Sequence, residues 1–316
     1  MKRKFRGGIS KCLSLSCLTL LTAASALAGS KHPATVPANY VITPFGYFHP
    51  SCVNHLAKGD VLQRDEKAIQ HANGTSDQIP VCSYPHYRAD GEKVTGDERE
   101  FHPPDISHAW VEYASVTTTS AYGQVYAEWN VPPAPKTNDG QTLFFFNGLE
   151  DINDSVTIIQ PVLGWNADYA SAWGIASWNC CVNGQVNEAP PAPVNSGDLI
   201  VGNVYSTCAS GKETCDSWDI VTFDFTNGNY SELLGTSNYG QTFNWAFGGV
   251  LEVWNLVQCG DYPGGGWSVD FFEQYLSNDK FVQIAKPAWK ITNGSSGLTP
   301  QCNYNGTTPE EVILDN

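Results

Sequence analysis

Trp218-Asp219-Ile220-Val221-Thr222-Phe223-Asp224-Phe225 is a run of strand length rich in β-branched and aromatic residues, and the turn-forming Asn227-Gly228-Asn229 follows it at once. Working outward, Leu199–Tyr205, Val156–Gln160, Thr142–Phe146 and Val125–Val131 have the same make-up. Asn195-Ser196-Gly197-Asp198 and Asn138-Asp139-Gly140 punctuate them. No segment sustains a helical period. Residues 109–316 therefore read as all-β, an antiparallel two-sheet β-sandwich of the concanavalin-like jelly-roll kind.

The whole chain of 316 residues fits one large domain plus an appendage. Aromatic residues make up 12% of it, too many for a disordered polypeptide. Its 32 acidic residues outnumber 17 basic ones, a formal charge of −15. Such a surface repels phosphate backbones and gains nothing from counterion release, so nucleic acid is excluded as a partner.

Lys2, Arg3, Lys4, Arg6 and Lys11 precede an apolar run from Cys12 to Ala28 that ends in Ala26-Leu27-Ala28. Residues 1–28 read as a secretory signal peptide rather than a stable membrane anchor, and the product is expected to be secreted or periplasmic. Export leaves eight cysteines, an even number that suggests disulfides. Cys52 with Cys82 and Cys208 with Cys215 are the expected pairs. Cys180, Cys181, Cys259 and Cys302 are left without assigned partners. There is no CxxC pair with nearby histidine, so no metal and no other cofactor is expected.

All seven histidines and every arginine lie before residue 109. From there on, five lysines face 22 acidic residues, a net −17, whereas residues 29–108 carry seven basic and ten acidic residues. Two compositions imply two units. The first is read as a propeptide, or alternatively a permanent N-terminal subdomain. Its near-neutral, histidine-bearing surface would sit against the acidic body as an intramolecular inhibitor and loosen as pH changes their charges.

Without histidine, residues 109–316 contain no Ser-His-Asp triad, no Cys-His dyad and no His-ligated catalytic metal. Carboxylate and amide chemistry remains. Gln160 shares a strand face with Ile158 and Val162, and Glu252 shares one with Val250 and Trp254. Each is a polar group set among hydrophobes. With no arginine nearby to pair with, Glu252 is expected to be a tuned group.

In chain order, Trp110 with Tyr122-Gly123-Gln124-Val125 and Asn130-Val131-Pro132, Phe146-Asn147-Gly148-Leu149-Glu150-Asp151, Ile158-Ile159-Gln160, Ala172-Trp173-Gly174-Ile175-Ala176-Ser177-Trp178, Gly197-Asp198-Leu199-Ile200 and Gly249-Val250-Leu251-Glu252 resemble the eqolisin family of glutamic endopeptidases. Asn147, Leu149 and Pro161 depart from that pattern, and the glutamate usual between the paired tryptophans is missing. Gly248-Gly249-Val250-Leu251-Glu252 and Gln160…Gly164-Trp165 also resemble the neprosin-type glutamic peptidases.

The resemblance implies a secreted, acid-acting endopeptidase with a polypeptide substrate and a Gln160/Glu252 dyad that shares one water. Glu252 would act as base and then acid, and Gln160 as oxyanion donor. A glutamate near its ordinary pKa of ~4.3 would serve. Phe146, Trp165, Trp173 and Trp254 are expected to line the substrate groove, with Asp168 and Glu150 behind the dyad. The alternatives are a lectin-like carbohydrate-binding sandwich, or a glycoside hydrolase with a carboxyl pair ~5–9.5 Å apart.

Overall fold

The computed structural model describes residues 32–63, 67–94, 109–153, 157–264, 268–293, 302, 306–308 and 311–315. The expected leader at 1–28 and the stretch 95–108 that would hold a processing site lie outside them.

The N-terminal unit carries eight short strands: β1 (Val41–Thr43), β2 (Gly46–Phe48), β3 (Val53–His55), β4 (Val61–Leu62), β5 (Ala68–Gln70), β6 (Ser76–Gln78), β7 (His86–Tyr87) and β8 (Lys93–Val94). The larger unit follows with β9 (Trp110–Thr117), β10 (Tyr122–Asn130), β11 (Thr142–Glu150), β12 (Ile158–Trp165), β13 (Trp173–Cys180), β14 (Val186–Glu188), β15 (Ala192–Val194), β16 (Leu199–Ser206), β17 (Trp218–Asp224), β18 (Tyr230–Thr236), β19 (Trp245–Trp254), β20 (Ser268–Asn278), β21 (Lys290–Asn293) and β22 (Val312–Asp315).

These strands form the expected all-β sandwich. One sheet runs β18-β17-β16-β10-β20-β22, and the other runs β21-β9-β19-β11-β12-β13-β14-β3 with β15 also on β13. Pairing is antiparallel throughout the sandwich, and β3 joins the edge strand β14 in parallel.

The burial patterns show what positions the site. β16 and β17 alternate between buried and partly exposed residues, as a sheet with one wet face must. β11, β12, β13 and β19 are buried at every position. A strand is buried on both faces only when something covers each of them. On the inner side Leu143, Phe145, Leu163, Ile175, Leu251 and Val253 pack towards the other sheet, against Trp129 and Phe271. On the outer side Phe144, Phe146, Val162, Trp178, Val250 and Trp254 pack against Phe45, Tyr47, Phe48 and Val53 of the N-terminal unit. The molecule is three layers deep, and the third layer comes from the first hundred residues.

Four disulfides account for the eight cysteines after residue 28: Cys52–Cys82, Cys180–Cys181, Cys208–Cys215 and Cys259–Cys302. The first and third are the two pairs expected from the sequence. None crosses residue 109. The N-terminal unit is therefore tied to the sandwich by packing and hydrogen bonds, with no bridge between them.

Candidate functional site on the covered sheet face

Gln160 and Glu252 lie in the same sheet and point to the same face. In β12, Ile159 and Leu163 turn inward while Ile158 and Val162 face outward, and Gln160 shares their parity. In β19, Leu251 and Val253 turn inward, whereas Val250 and Trp254 face outward with Glu252 between them. The periodicity read from sequence grouped each side chain with the neighbours it has here, Gln160 with Ile158 and Val162, and Glu252 with Val250 and Trp254.

Register separates them, however. β11 runs between their strands, with Phe144 opposite Glu252. Phe146↔Val162 and Leu149↔Ile159 in turn set Gly148 opposite Gln160. Two strand spacings and four residues of β11 put the two Cα atoms on the order of 16 Å apart in ideal sheet geometry. A full row of apolar side chains, Val250-Phe146-Val162, stands between them. That is too far for one shared water, so the dyad geometry implied by resemblance does not hold in this covered arrangement.

Glu150 ends β11 opposite Ile158, on the same face. Gln160 lies two residues along β12, which makes the pair diagonal neighbours roughly 7–8 Å apart, within reach of two long side chains. Glu150 is thus the glutamate that the register brings to Gln160. The space beside Gln160 comes from Gly148, where a Cβ would lie 2.9 Å from the Ile159 carbonyl oxygen and 3.4 Å from Gln160 Cβ.

The two groups differ in environment. Gln160 is fully buried, and neither its amide nitrogen nor its oxygen has a hydrogen-bond partner among the described residues. Such an orphaned amide is expensive to bury. Glu252, 1% exposed, accepts the Trp110 indole N–H at 2.8 Å on one oxygen and the Trp254 indole N–H on the other. Burial drives its pKa well above the ordinary glutamate range, and the two indole bonds offset only part of that rise. The expectation of an unshifted carboxylate is therefore corrected: burial favours the protonated form of the covered Glu252.

A second acidic group lies in Gln160's own row. Trp178 pairs with Gln160 on one side and with Glu188 of β14 on the other. The Asp168 carboxyl lies beside that of Glu188, and His55 of β3 meets Glu188 from the N-terminal unit. Burial pushes the Glu188 carboxyl up to about 7. Burial first, and then the Glu188 carboxylate, push Asp168 upward as well. Asp168 as a whole is solvent-exposed, so water screens part of that push.

The expected groove residues divide. Phe146 and Trp254 lie on the site face. Trp165 and Trp173 do not: they pair across β12 and β13 on the inner face, with ring centroids 5.3 Å apart, and belong to the core between the sheets. Both sit an odd number of residues from Gln160 or its partner Trp178, which fixes them on the opposite face. Sequence reasoning missed Glu188, whose strand of three residues is too short to show alternation. It also missed the role of Trp110 as a donor to Glu252.

Extended chain already occupies the face. Phe45 meets Trp178 with ring centroids 6.2 Å apart, and Tyr47 meets Trp254 at 5.1 Å, donating its hydroxyl to Asn255 at 2.7 Å. A cleft of about 630 Å³ lies elsewhere, between Leu56–Leu62, Pro190–Ala192 and Gly228–Leu234, and its lining includes neither Gln160 nor Glu252. Among the described residues, Cys208, Cys215 and Asp216 form a compact group of potential metal ligands, but the disulfide takes both thiolates.

No protein-family model matches the chain, and no curated protein matches its sequence. Solved structures with a similar outline include Scytalido-glutamic peptidase with a peptide-based transition-state analog, at 15% identity over 66% of this chain and 97% of that one, TM-score 0.48. A second structure of that peptidase with a transition-state analog inhibitor matches at 14% identity over 66% and 98%, TM-score 0.46. SCP-B, a member of the eqolisin family of peptidases in complex with the tripeptide Ala-Ile-His, matches at 15% over 66% and 96%, TM-score 0.44. Likenesses this distant say nothing of activity.

Proposed function

We propose that this chain is the secreted precursor of an acid-acting endopeptidase whose outer sheet face hydrolyses peptide bonds by a Gln/Glu-activated water, with residues 29–108 occupying that face until they are removed. The observation that carries the reading is the orphaned amide of Gln160, buried under the chain's own polypeptide on a face that also holds Glu150 and Glu252. Once the cover leaves, a substrate in its place would present a carbonyl to that amide.

In this reading Gln160 donates its carboxamide N–H to the developing oxyanion, a role a neutral amide keeps at any acidity. Glu150, its diagonal neighbour, takes a proton from the attacking water and returns it to the leaving amine. Glu252, whose two oxygens accept the Trp110 and Trp254 indole N–H groups, holds those rings on the face and is not the base. The net −17 of residues 109–316 favours acid, since self-repulsion fades as carboxylates protonate. The absence of a bridge across residue 109 supports removal of the cover by one backbone cleavage. Among the described residues no helix is long and apolar enough to cross a membrane.

The test is to incubate the purified full-length chain at acid pH, sequence any new N-terminus and assay pepstatin-insensitive proteolysis. The reading expects a new terminus at or before Ala109, and activity that falls roughly 100-fold or more in Gln160→Ala and in Glu150→Gln. A cleaved chain without activity, or full activity in Gln160→Ala, overturns it.

A further inference from the structure

The edge of the large sheet next to the site is a strand-binding edge with an acidic end. β14 presents Val186, Asn187 and Glu188 to Val53, Asn54 and His55 in parallel register, and Leu56 donates its backbone N–H to the Glu188 carbonyl at 2.9 Å. The Asn54 amide adds a bond to Asn187 Oδ1 at 2.9 Å. At the end of this pairing His55 points its imidazole at Glu188, which is fully buried and lies beside the Asp168 carboxyl.

Two acids side by side repel unless a proton or a cation lies between them. Among the described residues, the cation-forming group that meets Glu188 is His55, from the N-terminal unit. The rest of the row points the same way, since Trp178 separates Glu188 from Gln160, whose amide is buried without a partner.

We infer that β14 and the Asp168–Glu188 carboxyl pair form an exosite for an extended polypeptide that runs parallel to β14 and places a basic side chain where His55 now lies. Main-chain bonds along β14 hold any strand, and the carboxyl pair selects lysine, arginine or protonated histidine over a neutral side chain. β3 is the third strand from Gln160, roughly 14 Å away by sheet spacing, so the selected residue lies several positions from the bond cleaved. As a substrate exosite the inference rests on the peptidase reading; as a strand-binding edge it does not.

The test follows from that difference. In the full-length chain, His55→Lys and His55→Leu are each made in the native and the Glu188→Gln background, and amide exchange of Leu56 at neutral pH reports docking of β3. The expected result is protection about tenfold greater for His55→Lys than for His55→Leu, with the difference lost beside Glu188→Gln, where the buried site stays isosteric. Equal protection of the two variants, or a difference that survives Glu188→Gln, overturns the inference.

The acid-processed protein is then given matched peptides that carry lysine or leucine at successive positions, from acid pH up to about 7, where the Glu188 carboxyl ionises and the preference should emerge. A preference for lysine at one position several residues from the cut, lost in Glu188→Gln, supports the exosite. Cleavage indifferent to lysine overturns it as a substrate exosite and leaves the peptidase reading standing. No cleavage of any peptide overturns the peptidase reading, and the exchange result alone then decides the strand site.

Discussion

Tyr47 meets Trp254 edge to face, with ring centroids 5.1 Å apart, and the same indole donates its N–H to Glu252. The residue that seals the site thus touches one of the two groups that hold the buried acid. Tyr47→Ala opens that seal, at a cost of about 3 kcal/mol to docking of the N-terminal unit. Water then reaches Glu252, and its carboxyl falls back towards the ordinary range. Infrared titration of the protonated carboxyl band checks this, and an unchanged titration would show that the sandwich alone sets the shift.

Glu252→Gln tests the two indole bonds. A glutamine has one acceptor oxygen where the acid presents two, so its NH2 must face either Trp110 or Trp254. The expected loss is about 1–3 kcal/mol of stability, read from denaturant unfolding. Proteolysis is expected to stay within roughly tenfold of native, since the indole-held acid is not the base. A collapse in activity as deep as that of Glu150→Gln would return the water-activating role to Glu252.

Gly148→Ala places a methyl 2.9 Å from the Ile159 carbonyl oxygen, a backbone atom that has to move. Overpacking of this kind costs about 1–3 kcal/mol. Because the same methyl lies 3.4 Å from Gln160 Cβ, turnover should fall more than the loss of stability explains. Native turnover in a folded Gly148→Ala chain would mean that Gln160 needs no room at that point.

The two layers should answer acid in opposite directions. His86 is buried against Phe48, and burial first, then the Arg88 charge, lower its pKa to about 4. Its contribution to the N-terminal unit is full above the ordinary histidine value near 6.5 and is lost as pH falls from there through 4. Glu188, raised to about 7, contributes fully below its ordinary 4.5 and loses that contribution as pH rises through 7. On acidification from 7 to 4, amide exchange should quicken around β7 and slow around β14. A common direction for both would show that one of the two burials is misassigned.

With no disulfide spanning residue 109, a single cut between the units should release the N-terminal one without reductant. Non-reducing electrophoresis of the acid-treated chain in detergent should show two separate bands. A single band that splits only on reduction would require a different cysteine pairing.

Much of this architecture was legible from the residues. Runs such as Trp218–Asp224 became strands because β-branched and aromatic side chains suit a pleated, half-buried surface, and the Asn/Gly clusters between them turn the chain. Parity alone set Gln160 on the side of Ile158 and Val162, and Glu252 on the side of Val250 and Trp254. It also could have set Trp165 and Trp173 on the other, because odd and even positions of a strand never share a side.

Sequence by itself determined the all-β class, the break in composition at residue 109 and two of the disulfides, since each follows from local residue chemistry or counting along the chain. Tertiary structure alone decided which carboxyl meets Gln160, that Asp168 and Glu188 face His55, and that the outer face is covered. Those outcomes depend on strand order and register, which pair residues far apart in the chain, and no local preference records how far one strand slides past the next.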